Sequence, residues 1–246
     1  MSTTYKITVE YNGTDYSGWQ RQNDVPSIQQ SIEEAIYAFC QEKINIQASG
    51  RTDAGVHAVG QVFSVALETN RTPFSIMQGI NYHLYPQPIA LRSVEAMHSE
   101  FNARFDAKRR YYRYHIINRK TRLALDHKRA WHVIPELDVK TMHEAAQLMV
   151  GEHDFTSFRA SECQAKSPIK TIDSIHVWQD GENIFIDIKA LSFLHHMVRN
   201  ITGTLKLIGE GKWNKERIPE IIGAKDRRAC GPTAAACGLY FIKVDY

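Results

Sequence analysis

The sequence predicts an α+β protein made of two ferredoxin-like halves, each of order βαββαβ. Short stretches of alternating apolar and polar residues, typical of half-buried strands, recur in both halves. Longer stretches with apolar residues at helical spacing lie between them, and the order of the two patterns is the same in each half. We therefore expect the two sheets to join into one mixed, mainly antiparallel sheet with a central cleft. The expected domains are residues 1–104 and 105–246.

The first half opens with alternating residues over 5–11, which predict a strand. A helix is expected from Ser27, because Ser27 and Gln30 form a capping-box pattern before apolar residues at helical spacing. Thr72 and Pro73 suit the N-cap and first turn of a second helix. The other expected strands are 44–48, 61–67 and 89–94.

The second half repeats the order without any repeat in sequence. Asp138 is expected to cap a helix that Gly151 can terminate. Asp180 and Gly181 form a hairpin signal, and apolar residues at helical spacing predict another helix from about Leu194. The expected strands are 110–117, 171–178, 183–190 and 239–244.

Composition excludes several classes of protein. Of the 246 residues 43% are hydrophobic, but no apolar run is long enough for a transmembrane helix. The first residues lack the pattern of a secretory signal, so we expect a cytoplasmic protein with no membrane partner. The four cysteines show no C-x-x-C spacing, which argues against a zinc site and a disulfide framework.

Positive charge is concentrated in the second half. Residues 1–100 contain six Lys and Arg against ten Asp and Glu, whereas residues 101–246 contain 24 against 17. Nine of these cations lie between Lys108 and Arg129, with Asp126 as the one acid among them. Such a stretch suits a phosphate-rich partner, because cations that neutralise phosphates release bound counterions. Charge alone favours the simpler interpretation of a solvated surface.

The segment 49–60 is unusual for a connection between strands, because it combines Arg51, Asp53 and His57 with three glycines. Asp53 has two interpretations. It can cap a turn, which is the common role of Asp in a loop. It can also be a nucleophile or base whose carboxylate Arg51 keeps ionised. The residues alone leave both open.

Histidines offer no metal site in the sequence. His195 and His196 are adjacent, and on the expected helix they would project about 100° apart. Neither has a His or Glu partner four residues away, and His57 has no partner at metal spacing. We therefore expect no metal.

Five segments follow one another along the chain: YNGTDYSGWQ at 11–20, SGRTDAGVHA at 49–58, YRY at 112–114, FLHHMVRN at 193–200 and GLY at 238–240. Together they resemble the motifs of the tRNA pseudouridine synthase A family. The resemblance implies isomerisation of uridines at positions 38 to 40 of the tRNA anticodon arm, without a redox or organic cofactor. Asp53 would be the essential carboxylate. Attack on the sugar, attack on the base and removal of a sugar proton all stay open as its first step.

The resemblance also assigns roles to other residues. Tyr112 would stack on the target base and accept or relay the C5 proton. Adjacent strand residues face opposite sides, so only one of Tyr111 and Tyr112 can enter the cleft, and the Tyr-x-Tyr pattern selects Tyr112. Arg199 would form an ion pair with Asp53 that orients it and lowers its pKa.

The substrate contacts follow from the same resemblance. Arg51 would help to extrude the uridine, since a base inside a stem cannot be reached until it leaves the stack. Leu239 would line the uracil pocket. Arg109, Arg110 and Arg113 of the basic stretch are expected to contact tRNA phosphates. A homodimer is also expected, in which one subunit holds the tRNA body while the other modifies the arm.

Two other functions are compatible with the residues. One is a noncatalytic RNA-binding module, because ferredoxin-like sheets bind RNA through aromatic residues on their strands. The other is a hydrolase of a nucleoside C–N bond. Hydrolysis usually needs a second carboxylate or a metal-bound water, and the segment 49–60 contains only one acid, Asp53.

Overall fold

The computed structural model describes residues 2–163 and 165–246. Over these residues the chain forms ten strands and five α-helices, and the strands pair mainly antiparallel, which confirms the predicted α+β class. None of the helices in this part of the chain is long and apolar enough to cross a lipid bilayer. The chain divides into two compact units, residues 1–108 with 241–246 and residues 109–240. The predicted domain boundary after residue 104 stays a prediction.

The first unit follows the predicted order βαββαβ. Its elements are β1 (Thr3–Tyr11), α1 (Ile28–Cys40), β2 (Gln47–Ala48), β3 (His57–Leu67), α2 (Pro73–Leu84) and β4 (Ile89–Met97). β1 lies between β3 and β4 and is antiparallel to both. Four strand bounds differ from the prediction. β1 begins at Thr3 and β4 ends at Met97, while β2 has only two residues and β3 begins at His57 rather than at residue 61.

Local capping signals set both helix starts in this unit. The Ser27 hydroxyl accepts a hydrogen bond from the backbone N–H of Gln30 at 3.3 Å. Thr72 caps α2 in the same way, by accepting from Ser75 N–H at 3.2 Å, and Pro73 is the first residue of that helix. Both predicted starts are therefore confirmed. One face of α1 packs into the core, where Ile28, Ile32 and Ile36 are fully buried.

The second unit is larger and contains more elements than predicted. These are β5 (Arg109–Asn118), β6 (Trp131–Val133), α3 (Val139–Gln147), β7 (Gly151–Asp154), β8 (Ile169–Asp180), β9 (Asn183–Ala190), α4 (Met197–Gly209), α5 (Arg217–Ala224) and the first residues of β10 (Leu239–Asp245). Its strand order is β5-β9-β8-β7, all antiparallel, with β6 parallel to β5. The prediction missed β6, β7 and α5, because three or four residues are too few to show an alternation and α5 has only eight residues.

Two predicted helix bounds in this unit are wrong. α4 begins at Met197 rather than near Leu194, because His196 has φ +62°, a left-handed conformation that an α-helix cannot include. His195 and His196 therefore precede the helix, and their ring centroids are 4.0 Å apart instead of diverging. Gly151 does not end α3 either. With φ +103° it begins β7, four residues after the helix ends.

Asp138 caps α3 as predicted. Its Oδ1 accepts from Thr141 N–H at 3.0 Å, and its Oδ2 accepts from the Thr141 hydroxyl at 2.6 Å. These hydrogen bonds lower the pKa of Asp138. A carboxyl whose pKa is lower in the folded state stabilises the fold above its unfolded pKa, and this stability is lost as the pH falls through the folded pKa. We expect Asp138→Ala to lower the free energy of unfolding by about 1 kcal/mol at neutral pH.

The difference in free energy of unfolding between Asp138→Ala and the wild type should shrink as the pH falls below about 4, where the wild-type carboxylate becomes protonated. Thermal unfolding of both proteins across this range measures it. Thr72→Ala is the matched control, because it removes an N-cap without a titratable group and its deficit should not change with pH. An Asp138→Ala deficit that stays constant down to the lowest pH would contradict the assignment.

Candidate active site

Asp53 lies in the loop 49–56, which connects β2 to β3 as predicted. Burial alternates along this loop. Arg51 is exposed, Thr52 is buried and Asp53 is half-buried. The backbone at Thr52 is therefore packed inside the unit, while the side chains on either side of it reach the solvent.

The start of this loop is anchored on β3. Ser49 donates its backbone N–H to Val62 O at 2.8 Å, and its hydroxyl lies 2.6 Å from Gln61 Oε1. The Gln61 amide nitrogen donates to Gly50 O at 2.8 Å. Gln61 is fully buried, so these polar bonds are held away from competing water.

The centre of the loop is held by the segment 11–19. The hydroxyls of Tyr11 and Thr52 are 2.8 Å apart, and Trp19 N–H donates to Thr52 O at 3.0 Å. Gly55 N–H donates to Tyr16 O at 3.3 Å. Burial raises the pKa of Tyr11, so its phenol stays protonated at physiological pH. The residue before Asp53 is thus fixed by both its side chain and its carbonyl.

Two glycines permit this close approach. A Cβ on Gly13 would lie 2.0 Å from Val56 O, and a Cβ on Gly18 would lie 2.6 Å from Thr52 O. Gly18 also has φ +97°, which L side chains rarely adopt. His57 is buried, and its Nδ1 accepts from Gly13 N–H at 3.1 Å. His57 therefore joins the loop to the segment 11–19.

In the second unit, Tyr112 and Tyr111 lie on opposite faces of β5. The Tyr112 ring meets Phe193 edge-on, with centroids 5.0 Å apart and an interplanar angle of 86°. The Tyr111 ring instead lies 5.4 Å from Lys189 Nζ. This is the alternation expected of adjacent strand residues. Through this ring contact, Tyr112 packs against the segment that leads into α4.

Arg199 and Leu239 are linked to β5 through the chain between α5 and β10. Arg199, in the first turn of α4, donates from Nε to Ala234 O at 2.8 Å. The buried Tyr114 donates its hydroxyl to Ala235 O at 2.6 Å. A Cβ on Gly238 would lie 2.6 Å from the Tyr114 ring, so the residue before Leu239 must be small. The chain 234–238 thus links Arg199 and the residue before Leu239 to Tyr114 of β5.

The three arginines expected to contact phosphates each have a partner within the second unit. Arg109 forms an ion pair with Asp173 at 2.6 Å, and Arg110 Nη1 donates to the carbonyl of Leu191 at 2.5 Å. Arg113 binds both carboxylate oxygens of Asp187, at 2.7 and 2.9 Å. The hydrogen bond with Asp187 raises the pKa of Arg113. Their contact with phosphates stays a prediction.

The rest of the basic stretch forms a loop between β5 and β6. Lys120, Arg122 and Lys128 are exposed in this loop. Its base is held by the buried side chain of Leu123, which packs with Ile117 and Ala130. Arg129 is exposed as well, so the loop presents four cations to solvent from an anchored base.

The matches to known proteins extend over most of the chain. A sequence model described as tRNA pseudouridine synthase matches residues 7–106 and 145–246. The chain belongs to this family. The tRNA pseudouridine synthase A of Rhodospirillum centenum is 50% identical over 242 residues, which are 98% of this chain and 99% of that protein. The enzymes of the same name from Parvibaculum lavamentivorans and Azorhizobium caulinodans are 48% and 47% identical, over 98% of this chain and 98% and 94% of their own.

As a tRNA pseudouridine synthase, the protein is an enzyme that isomerises uridine to pseudouridine, and tRNA is its substrate. The predicted family and reaction are confirmed. Family membership therefore argues against the two alternative functions, a noncatalytic RNA-binding module and a nucleoside hydrolase.

The motifs did not reveal which residues hold these loops in place. No role followed from them for Gly13, which packs on Val56, or for Phe193, which packs on Tyr112. A weak signal was present for Gly13, because the segment 11–20 combines two glycines with three aromatic residues. No local pattern identifies Ala234, because its contact with Arg199 is made by its backbone.

Proposed function

We propose that the enzyme modifies uridines 38, 39 and 40 of the tRNA anticodon arm, with Asp53 as its essential carboxylate. The observation that supports Asp53 in this role is the loop 49–56, and the three tRNA positions follow from the family resemblance. Hydrogen bonds fix Thr52 through its side chain and its carbonyl, while Asp53 is only half-buried. A reactive group needs this combination, since small errors in its position reduce the rate strongly and the substrate must still reach it.

The reaction makes four demands on the site. The glycosidic bond between N1 and C1′ must break, the freed uracil must turn while it stays bound, and C5 must join C1′. The proton on C5 must then leave. Asp53 would begin the reaction, and Tyr112 would stack on the turning base and accept or relay the C5 proton.

Three further residues complete the proposed site. Arg199 would pair with Asp53 and keep its carboxylate ionised. Arg51 is exposed two residues before Asp53, where it can help to extrude the target uridine. Leu239 would form an apolar wall for uracil. No cofactor is proposed.

A set of transcripts that differ only in the anticodon arm tests the substrate positions. Each carries C5-tritiated uridine at position 38, 39 or 40 and cytidine at the other two. We expect tritium release from all three transcripts and no free uracil. The control transcript has cytidine at all three positions and tritiated uridine elsewhere. Release from this control at the same rate would contradict the proposed positions.

We propose that the exposed cations of the loop between β5 and β6 carry most of the phosphate contact. Arg109 and Arg113 already have carboxylate partners, so they release fewer counterions on binding than the exposed Lys120, Arg122 and Arg129. Replacing these three by Gln should weaken tRNA binding. The slope of log Kd against log salt should fall by about two to three, since each phosphate contact contributes roughly 0.7 to 0.9.

Filter binding of tRNA across a range of salt concentrations measures this slope. The matched control replaces Lys43, Lys140 and Arg217 by Gln, which removes the same charge outside the basic stretch. That control should leave the slope nearly unchanged. Equal slopes for the loop variant and the wild type would remove this loop from the tRNA interface.

We also propose that the enzyme is a homodimer, as the family resemblance implies, and that it is cytoplasmic, where its tRNA substrate is found. Light scattering should give a molar mass twice that of one chain, and cell fractionation should recover the enzyme with cytoplasmic tRNA. A mixed dimer of wild-type and Asp53→Asn subunits should keep about half of the wild-type activity, since one of its two sites is intact. A molar mass of one chain at working concentrations would contradict the dimer.

A further inference from the structure

The chain after α5 lies directly on α4. Residues 230–235, here called the 230–235 segment, follow the short helix Arg227–Ala229 and run beside residues 199–204 of α4. A Cβ on Gly203 would lie 1.7 Å from Pro232 O, and a Cβ on Gly231 would lie 2.8 Å from the backbone of Thr204. Both backbones are thus in contact, with no room for a side chain between them.

Arg199 is joined to this segment by two hydrogen bonds at one residue. Its Nε donates to Ala234 O at 2.8 Å, and its own carbonyl accepts from Ala234 N–H at 3.1 Å. A guanidinium is planar, so a bond at Nε fixes the plane in which its other N–H groups point. The direction of the Arg199 side chain therefore depends on where Ala234 lies.

The position of Ala234 depends in turn on Asn200, whose side chain is fully buried. Asn200 Oδ1 accepts from the hydroxyl of Thr233 at 2.7 Å and from Arg227 Nη2 at 3.1 Å. Its Nδ2 donates to Phe158 O at 2.8 Å. The amide thus ties α4 to the residue that precedes Ala234.

Arg227 holds the other end of the same segment. Its Nη1 donates to Gly231 O at 2.9 Å, while Nη2 also donates to the Thr233 hydroxyl at 3.0 Å. With a further bond from Nη1 to Cys230 O at 3.4 Å, one guanidinium contacts three residues of the segment and the buried amide of Asn200. Neighbouring Arg228 points elsewhere. Its side chain is 90% exposed and binds only Asp226 among the contacts described.

We propose that Arg227 and Thr233 are positioning residues for catalysis. They act through Asn200 and the backbone of Ala234 to fix the direction of the Arg199 guanidinium. This inference rests on the proposed role of Arg199 beside Asp53. Neither residue needs to touch tRNA, so their loss should change the rate of the chemical step and leave tRNA affinity intact.

Single-turnover tritium release with enzyme in excess over tRNA tests the proposal. Arg227→Ala should lower the rate constant about 10- to 100-fold, the size of loss typical of a misplaced catalytic group. Thr233→Val removes one hydroxyl at an exposed position and should lower it by less. Arg227→Lys should fall between Arg227→Ala and the wild type, because an ammonium can replace part of the guanidinium's bonding. The Kd for tRNA should stay within about twofold of the wild type in all three.

The rate constant separates positioning from a merely structural role. Partial unfolding lowers the concentration of active enzyme, but the rate constant stays unchanged as long as folded enzyme exceeds and saturates the tRNA. Arg228→Ala is the matched control and should retain the wild-type rate constant. Wild-type rate constants in both Arg227→Ala and Thr233→Val would overturn the proposal. Failure of the proposed function would look different, because the wild-type enzyme would then release no tritium from the anticodon arm.

Discussion

Asp53→Asn is expected to abolish tritium release from C5-tritiated tRNA, with a loss on the order of 10⁴-fold or more in the single-turnover rate. Asparagine has nearly the same shape as aspartate, so the hydrogen bonds that hold Thr52 and Gly55 should survive. What is lost is the anionic oxygen, since an amide can neither attack carbon as a carboxylate does nor accept a proton at neutral pH. The affinity for tRNA should change little.

Asp15→Asn is the matched control for this experiment. Asp15 is exposed in the segment 11–19, which is hydrogen-bonded to the loop 49–56. Its substitution therefore removes the same charge from the same region. It should retain wild-type activity and stability. Pseudouridine formation by Asp53→Asn at a rate near that of the wild type would remove Asp53 from the chemistry. Equal losses in both variants would point to charge in this region rather than to the Asp53 carboxylate.

Gly13→Ala is expected to cause the second large effect, through position rather than chemistry. A methyl group on Gly13 would lie 2.0 Å from Val56 O, well inside contact distance, and the opposing atom belongs to the backbone. The loop 49–56 must then shift. Overpacking of this kind costs about 1 to 3 kcal/mol, and a displacement of about 1 Å at a reactive group lowers the rate roughly 100-fold.

Thermal unfolding and single-turnover rates measure the two parts of this prediction. Gly223→Ala is the control, because Gly223 lies in α5 and a Cβ there would meet nothing within 4 Å. That variant should be slightly more stable than the wild type, since Ala favours a helix more than Gly does. Full activity and stability in Gly13→Ala would show that the loop tolerates a shift and that its fixed backbone is unimportant.

Features that depend on neighbouring residues were predictable from sequence. The starts of α1, α2 and α3 follow from Ser27, Thr72 and Asp138, because an N-cap needs only a side-chain oxygen and an N–H three residues later. The hairpin at Gly181 was predictable for the same reason, since its turn residues lie between the strands they join.

Elements stabilised by distant contacts were not predictable. β6 has three residues and exists because it pairs with β5, from which it is separated by a loop of about a dozen residues. α4 begins late because His196 takes a left-handed conformation, which its apolar neighbours do not reveal. Periodicity describes which face of a segment is apolar, but it does not show where pairing or a left-handed residue ends that segment.

By itself the sequence determined the α+β class, the order of the first six elements, the family and the candidate carboxylate Asp53. These depend on local patterns and on motifs that can be read in order along the chain. Only the tertiary structure decided how the loop 49–56 is held by Tyr11, at the end of β1, and by Gly13, which follows it. It also decided how Arg199 is held by Ala234. The reason is physical. Such contacts join backbone groups and small residues that are far apart in the chain, and neither leaves a periodic or compositional trace.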